Sequence, residues 1–274
     1  MNQRKIDQVD SNGTSHHEDW KSIFTLSGHV GTDRWHSSMS PTLLGSRNGM
    51  YVINGVKTVI YLSKALQFLH AMVSRGSHVI VVNANPSYNG LVQTVCRITG
   101  HSYVNERWVG GTLTNWHIVS HGIYAYQRIA DQFGPYASFL GLSTPRYEKM
   151  SHSFRGFQPN CSRPEIMVVL TPGECVDAVH EAHVLDIPVI AICDSDMNQA
   201  KISYPIPGNN ESYDFVYTMM NFIGKTIQRA NGLYQRRVEQ GLRAPPRKNP
   251  TPRPQSSKKD RRVGRNPFRR DQGE

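Results

Sequence analysis

From Met50 onward the apolar residues of this chain change period repeatedly, between short runs of β-branched side chains and steps of three and four. "MYVI" is followed by Val59, Leu62, Leu66, Leu69 and Val73, which make one helix face. "HVIVVN" then reads as a strand, "SYNGLVQTVCRITG" as a short helix closed by Gly100, and "SYVN" as another strand. A second series runs "EIMVVL", a helix expected from Pro172 to about Asp186, and "IPVIAICD". The last helix follows "PGNNES", keeps Val216, Met220, Ile223, Ile227, Ala230 and Tyr234 on one face and ends by Gly241. Apolar strands alternating with helices are buried on both faces. The fold class is therefore α/β, a mostly parallel sheet sandwiched by helices in the Rossmann or flavodoxin manner.

Residues 116–163 interrupt this alternation, where an ordinary crossover needs only a short helix. Trp116 to Phe133 can be helical, but Gly134-Pro135, Gly141, Pro145, Gly156 and Pro159 break the remainder, so a degenerate helical protrusion is expected. The α/β domain spans 23–242, between a polar N-terminal extension at 1–22 and a basic tail at 243–274. That tail is Pro- and Arg-rich, lacks the apolar content for a core, and is expected to stay disordered without a partner.

Charge is distributed just as unevenly. From Arg243 onward there are 11 Lys/Arg against 3 Asp/Glu, a local +8 out of +10, which leaves 20 basic and 18 acidic residues before it. Lys258, Lys259, Arg261, Arg262, Arg265, Arg269 and Arg270 form a polyelectrolyte segment able to release counterions from nucleic acid. Cys96, Cys161, Cys175 and Cys193 stand far apart with no C-x-x-C, which indicates neither a zinc ribbon nor a disulfide framework and fits a reducing compartment. No apolar run approaches the roughly eighteen residues that span a bilayer, so no membrane partner is expected. The N-terminal stretch resembles neither an Arg-rich, acid-poor transit peptide nor a signal peptide.

Three constellations bear on chemistry. "NERWVGGTLTNW" sets two glycines, Thr112, Thr114 and Asn115 before a helix, a pattern that lets backbone N–H groups approach an anion, although neither G-x-G-x-x-G nor G-x-x-x-x-G-K-[ST] occurs. "CDSDMN" puts Asp194 and Asp196 past the carboxyl end of a strand, where α/β enzymes collect catalytic carboxylates or metal ligands. An enzyme reading would make this a metal-dependent site for a phosphorylated substrate, yet no nucleophile, lysine or phosphate loop accompanies it, and a simple turn explains the pattern better. Arg34-Trp35 and Arg107-Trp108 each set a cation beside a large ring, suited to phosphate contact and base stacking. "HEAH", at 180–183, and the pair His117 and His121 lack the full spacing of a zincin and read as helix-surface histidines.

Taken in order, "GHVGTDRWHSSMSPTLLGSRNGMYVINGVKT", "NERWVGGTLTNW", "RPEIMVVLTPGECVDAVHEAHVLDIPVIAICDSDMN" and "YPIPGNNES" resemble the bacterial and organellar ribosomal protein S2 family over about residues 24 to 240. The resemblance implies a parallel α/β sandwich with a protruding helical pair, bound to small-subunit rRNA and neighbouring ribosomal proteins at the junction of head and body. It implies no catalysis, cofactor, metal or small-molecule substrate, and makes Asp194 and Asp196 structural. It places Arg34, Trp35, Arg47, Asn48, Arg107, Trp108, Thr112, Thr114, Asn115 and Arg155 on the rRNA-facing side, together with the tail cations. The chain departs from the family pattern where the usual "ID" after "NGM" reads Val52-Ile53-Asn54, in the broken protrusion, and in the added tail. Such drift is more like a plant-type mitochondrial member, so the mitochondrial matrix is the expected location, with plastid and bacterial cytoplasm as alternatives.

Overall fold

Seven strands and six α-helices follow one another in the computed structural model, which describes residues 25–105, 107–140, 145–159 and 162–241 and, of the side chains of 133–150, that of Glu148 alone. The expected extension at 1–22 and tail at 243–274 lie outside these residues. A two-stranded antiparallel hairpin comes first, β1 at Leu43–Arg47 and β2 at Met50–Ile53. Its turn is Asn48-Gly49 with φ of +52° and +80°, the left-handed pair that a type I′ hairpin demands and that Asn-Gly adopts at least cost. Sequence periodicity marked β2; β1, with its Gly45 and a register shift, carries no alternation to read.

The main sheet is parallel with strand order β4-β3-β5-β6-β7, namely Ser102–Asn105, Val79–Asn83, Ile166–Val169, Val189–Cys193 and Tyr204–Pro207. Every residue of β3, β5 and β6 is buried, as expected of strands covered on both faces. Pro205 and Pro207 are confined to the edge strand β7, where a missing N–H costs no ladder bond on the open side. Alternate strand residues face two apolar layers. Val79, Val81, Ile166, Val168, Ile190, Ile192 and Ile206 meet α1 (Gly55–Val73), α2 (Asn89–Thr99) and α6 (Tyr213–Glu239). Ile80, Val82, Met167, Val169, Val189, Ala191 and Cys193 meet α5 (Val176–Val184), Leu113, and Ile123 of α3 (Trp116–Leu140).

The helix boundaries have local causes. Asn54 caps α1 by accepting from the Val56 and Lys57 amides at 3.0 and 3.4 Å. Gly100 closes α2 in the left-handed region at φ +72°. Two expectations are corrected. The helix expected from Pro172 begins only at Val176, because Pro172 and Gly173 occupy the middle of a turn in which the Glu174 amide donates to Thr171 O at 3.2 Å. Gly134-Pro135 does not end α3, which continues to Leu140; a helix already propagated over five turns carries the single N–H that proline removes. After α3 comes α4, Pro145–Phe154, and its closing turn returns to β4, where the Tyr103 amide donates to Gly156 O at 2.9 Å.

Candidate nucleic-acid interface

The glycine-rich loop after β4 is an anion cradle, and the chain fills it with its own carboxylate. Glu181 of α5 points into the loop and is buried. Its Oε1 accepts from the Trp108 indole N–H at 3.0 Å and the Gly111 amide at 2.7 Å. Its Oε2 accepts from the Leu113 and Thr114 amides at 2.9 and 3.2 Å. Burial pushes the Glu181 carboxyl up, but the indole and the three amides together outweigh it and hold the group below its ordinary value. Gly111 sits at φ +87°, which a side chain would strain, and this lets its amide turn inward. Asn115 O then accepts from the Ile118 and Val119 amides and starts α3.

That inward bonding sorts the loop residues. Trp108 packs against the second apolar layer with its N–H committed to Glu181, and Thr112 is buried with its hydroxyl donated to Val109 O. Arg107, Val109, Gly110, Thr114 and Asn115 are exposed. Arg155 is also exposed, at the end of α4 and next to Gly156, so Arg107 and Arg155 flank the β4 edge.

A second group sits on the segment before β1 and on the hairpin. Ser195 Oγ accepts from the Thr32 amide at 2.9 Å and donates to Arg34 O at 2.8 Å, while the His36 amide donates to Ser195 O at 2.8 Å. Gly31 is required for this approach, since a Cβ there would lie 2.8 Å from Ser195 Oγ and 3.0 Å from Tyr51 O. The staple presents Arg34 and Trp35 to solvent, Trp35 half exposed and 6.1 Å from the Tyr51 ring. Arg47 and Asn48 are exposed at the hairpin tip, where Asn48 also makes the turn. The candidate cations thus fall into two groups, Arg34 beside the end of β6 with Arg47 on the neighbouring hairpin tip, and Arg107 and Arg155 along β4. The tail residues from Lys258 to Arg270 lie outside the described residues.

Asp194 and Asp196 do not form a pair facing a cleft. Asp194 is buried, with Oδ1 accepting the Ser195 amide, and burial raises its carboxyl to about 6; Asp196 is exposed. Among the described residues no helix is long and apolar enough to cross a membrane. His180 and His183 are exposed on α5, and His117 and His121 are exposed on α3. The residue that sequence reasoning missed is Glu181 itself. Its signal was a carboxylate on the face of α5 otherwise made by Ala178 and Ala182, together with a glycine cradle that lacked an anion.

The family model for ribosomal protein S2 matches residues 25–230. The small ribosomal subunit protein uS2m of Marchantia polymorpha is 34% identical over 196 residues, covering 68% of this chain and 80% of its own length. The uS2 proteins of Erythrobacter litoralis and Chelativorans are each 32% identical, covering 68% and 75% of this chain and 77% and 80% of their own lengths. The chain belongs to the ribosomal protein S2 family, and its function is that of a structural, non-enzymatic constituent of the small ribosomal subunit.

Proposed function

We propose that the chain binds small-subunit rRNA through the exposed residues of its two rigid loop groups, Arg34, Trp35, Arg47 and Asn48 on one side and Arg107, Thr114, Asn115 and Arg155 on the other. The observation that carries this reading is the Glu181 lock, which fixes the loop backbone from within, takes the Thr114 hydroxyl as a further donor at 3.4 Å, and leaves Arg107 and Asn115 on the outer surface to meet phosphate. Trp108 and Thr112 then act by holding the loop. The tail cations, Lys258, Lys259, Arg261, Arg262, Arg265, Arg269 and Arg270, add a salt-sensitive, sequence-independent contribution. Other small-subunit proteins are the remaining partners. The subunit is a mitochondrial one in this reading, supported by the uS2m relative and by the polar and basic extensions.

Charge reversal tests the interface. An Arg47→Glu/Arg107→Glu double variant is expected to lose co-sedimentation with small subunits at moderate salt while keeping its thermal stability, since both residues are exposed. Undiminished co-sedimentation would remove these residues from the contact. Organelle fractionation with an antibody to the chain tests the location, and a signal confined to plastids or cytosol overturns it.

A further inference from the structure

Four stretches emerge at the carboxyl edge of the main sheet from β3, β5, β6 and β7, at residues 84–91, 170–177, 194–200 and 208–218, and together they hold six acids and no Lys or Arg. In a chain of net charge +10 these four stretches are anionic, and the cations nearest them in sequence at this edge are Lys201, just past the third, and Arg107, past the end of β4. Asp194 is buried, whereas Glu174, Asp177, Asp196, Glu211 and Asp214 are exposed. Arg34, whose carbonyl accepts from Ser195 Oγ, marks the border toward the proposed rRNA side. Along α6 the first cation is Lys225, about two turns beyond Tyr217.

A tyrosine ladder rises from this edge. Tyr88 is buried at its base and donates its hydroxyl to Asn210 O at 2.7 Å. The Tyr213 ring stacks on it at 6.0 Å and 27°, and the Tyr217 ring on Tyr213 at 6.3 Å and 21°. Tyr213 is 51% exposed and Tyr217 48%. Neither serves the core, which α6 already fills with Phe215, Val216, Met219 and Met220. Burial raises the Tyr88 hydroxyl, and the charges of Glu211 and Glu174 raise it further, so both carboxylates act on the base of the ladder. Asp214 follows Tyr213 in the first turn of α6.

We propose that the Tyr213–Tyr217 platform, with Glu174, Glu211 and Asp214, binds an arginine-rich extended segment of another protein. Tyrosine faces attract guanidinium groups and the carboxylates pair with them, whereas the same carboxylates repel phosphate. RNA on the arginine groups and a cationic polypeptide on the acidic edge therefore occupy surfaces of opposite charge on one domain. This contact does not depend on the rRNA contacts proposed above.

The test uses the full-length chain, a fluorescent arginine-rich peptide and a fluorescent single-stranded RNA, with anisotropy read at low salt. Glu211→Lys/Asp214→Lys and Tyr213→Leu/Tyr217→Leu double variants should each weaken peptide binding about tenfold without lowering RNA affinity or thermal stability. The leucines keep the apolar area and remove only the ring faces. Peptide affinity insensitive to charge reversal overturns the site, and loss on charge reversal with none on the leucine change overturns the aromatic platform. RNA affinity that falls with the tyrosines makes RNA the occupant, and Tyr-dependent self-association in sedimentation makes it a second copy; either result overturns the proposal. Failure of the Arg47/Arg107 variant to lose subunit binding bears on the rRNA reading alone.

Discussion

Glu181 Oε1 accepts the Gly111 amide at 2.7 Å across seventy residues of sequence, and this bond ties α5 to the loop that carries Arg107. With the Trp108, Leu113 and Thr114 donors it makes one carboxylate the anchor of a whole surface segment. Glu181→Ala leaves five donors, the Trp108 indole, the Gly111, Leu113 and Thr114 amides and the Thr114 hydroxyl, without their acceptor and is expected to cost about 3–5 kcal/mol. Glu181→Gln keeps one acceptor oxygen but turns an N–H toward donors, at about 2 kcal/mol. Because the folded-state pKa is lowered, the charge-dependent stability is full above the unfolded value and is lost as pH falls through the folded one. Urea titrations of the three proteins, repeated toward acid pH, check both statements; equal midpoints for Ala and wild type would sink the anchor.

Two buried groups give opposite pH slopes. Asp194 holds its proton up to about 6 against an ordinary 3.8, through burial first, with the Asp196 charge adding to the rise. The folded state therefore binds more protons than the unfolded state in that window, and stability falls as pH rises through it. His101 is lowered from 6.5 to about 4 by burial and by His78, so its contribution falls as pH drops through its own window. The two largely cancel between those values. Asp194→Asn keeps an acceptor for the Ser195 amide and should raise stability at pH 7 by about 1–3 kcal/mol, the gain vanishing below about pH 4. It should also expose the upward slope that His101 supplies. A variant curve parallel to wild type from acid to neutral pH contradicts the assignment.

The cap at Asn54 separates what a local rule can predict from what it cannot. Asn54→Ala removes the acceptor for the Val56 and Lys57 amides and should cost about 1 kcal/mol, while Asn54→Asp should be neutral or slightly stabilising beside the helix N-terminus. Thermal midpoints of the two variants decide it, and equal losses would mean the side chain is not the cap.

Much of the fold was legible because its signals are local. The α1 face of Val59, Leu62, Leu69 and Val73, the left-handed stop at Gly100 and the buried strands can each be read within one turn or one strand. The Thr171–Glu174 turn was misread because proline suits both a turn and a helix start, and only the Thr171 O bond chooses between them. The site was half legible. The cradle around Gly111 is a sequence pattern, but its occupant, Glu181, comes from another helix and no spacing rule joins them. The tyrosine ladder was hidden in the same way, since Tyr88 and Tyr213 follow β3 and β7, far apart in sequence, and stack only because both strands end at the same edge of one sheet.

Gly156 fixes where Arg155 can stand. A Cβ at Gly156 would lie 2.0 Å from Tyr103 O, a backbone atom of β4 that cannot yield without breaking the edge. Gly156→Ala should therefore cost more than about 2 kcal/mol and weaken RNA binding by displacing Arg155. A well-folded Ala variant with unchanged RNA affinity would show that the turn relaxes freely.

The tail should act through charge and not through packing. Residues 243–274 hold 11 Lys/Arg, while Leu242, Val263 and Phe268 are the large apolar residues removed by truncation after Gly241. So little apolar area can contribute only slightly to stability, and the thermal midpoint of the free protein should barely move. RNA binding responds differently, because each phosphate neutralised releases a counterion. If the tail reaches about five phosphates, its removal should shallow the log–log salt slope by roughly four and lower affinity most at low salt. Both quantities are measured on the truncated and full chains. An unchanged slope would make the tail a passive appendage, and a large loss of stability would show that it packs on the α/β domain.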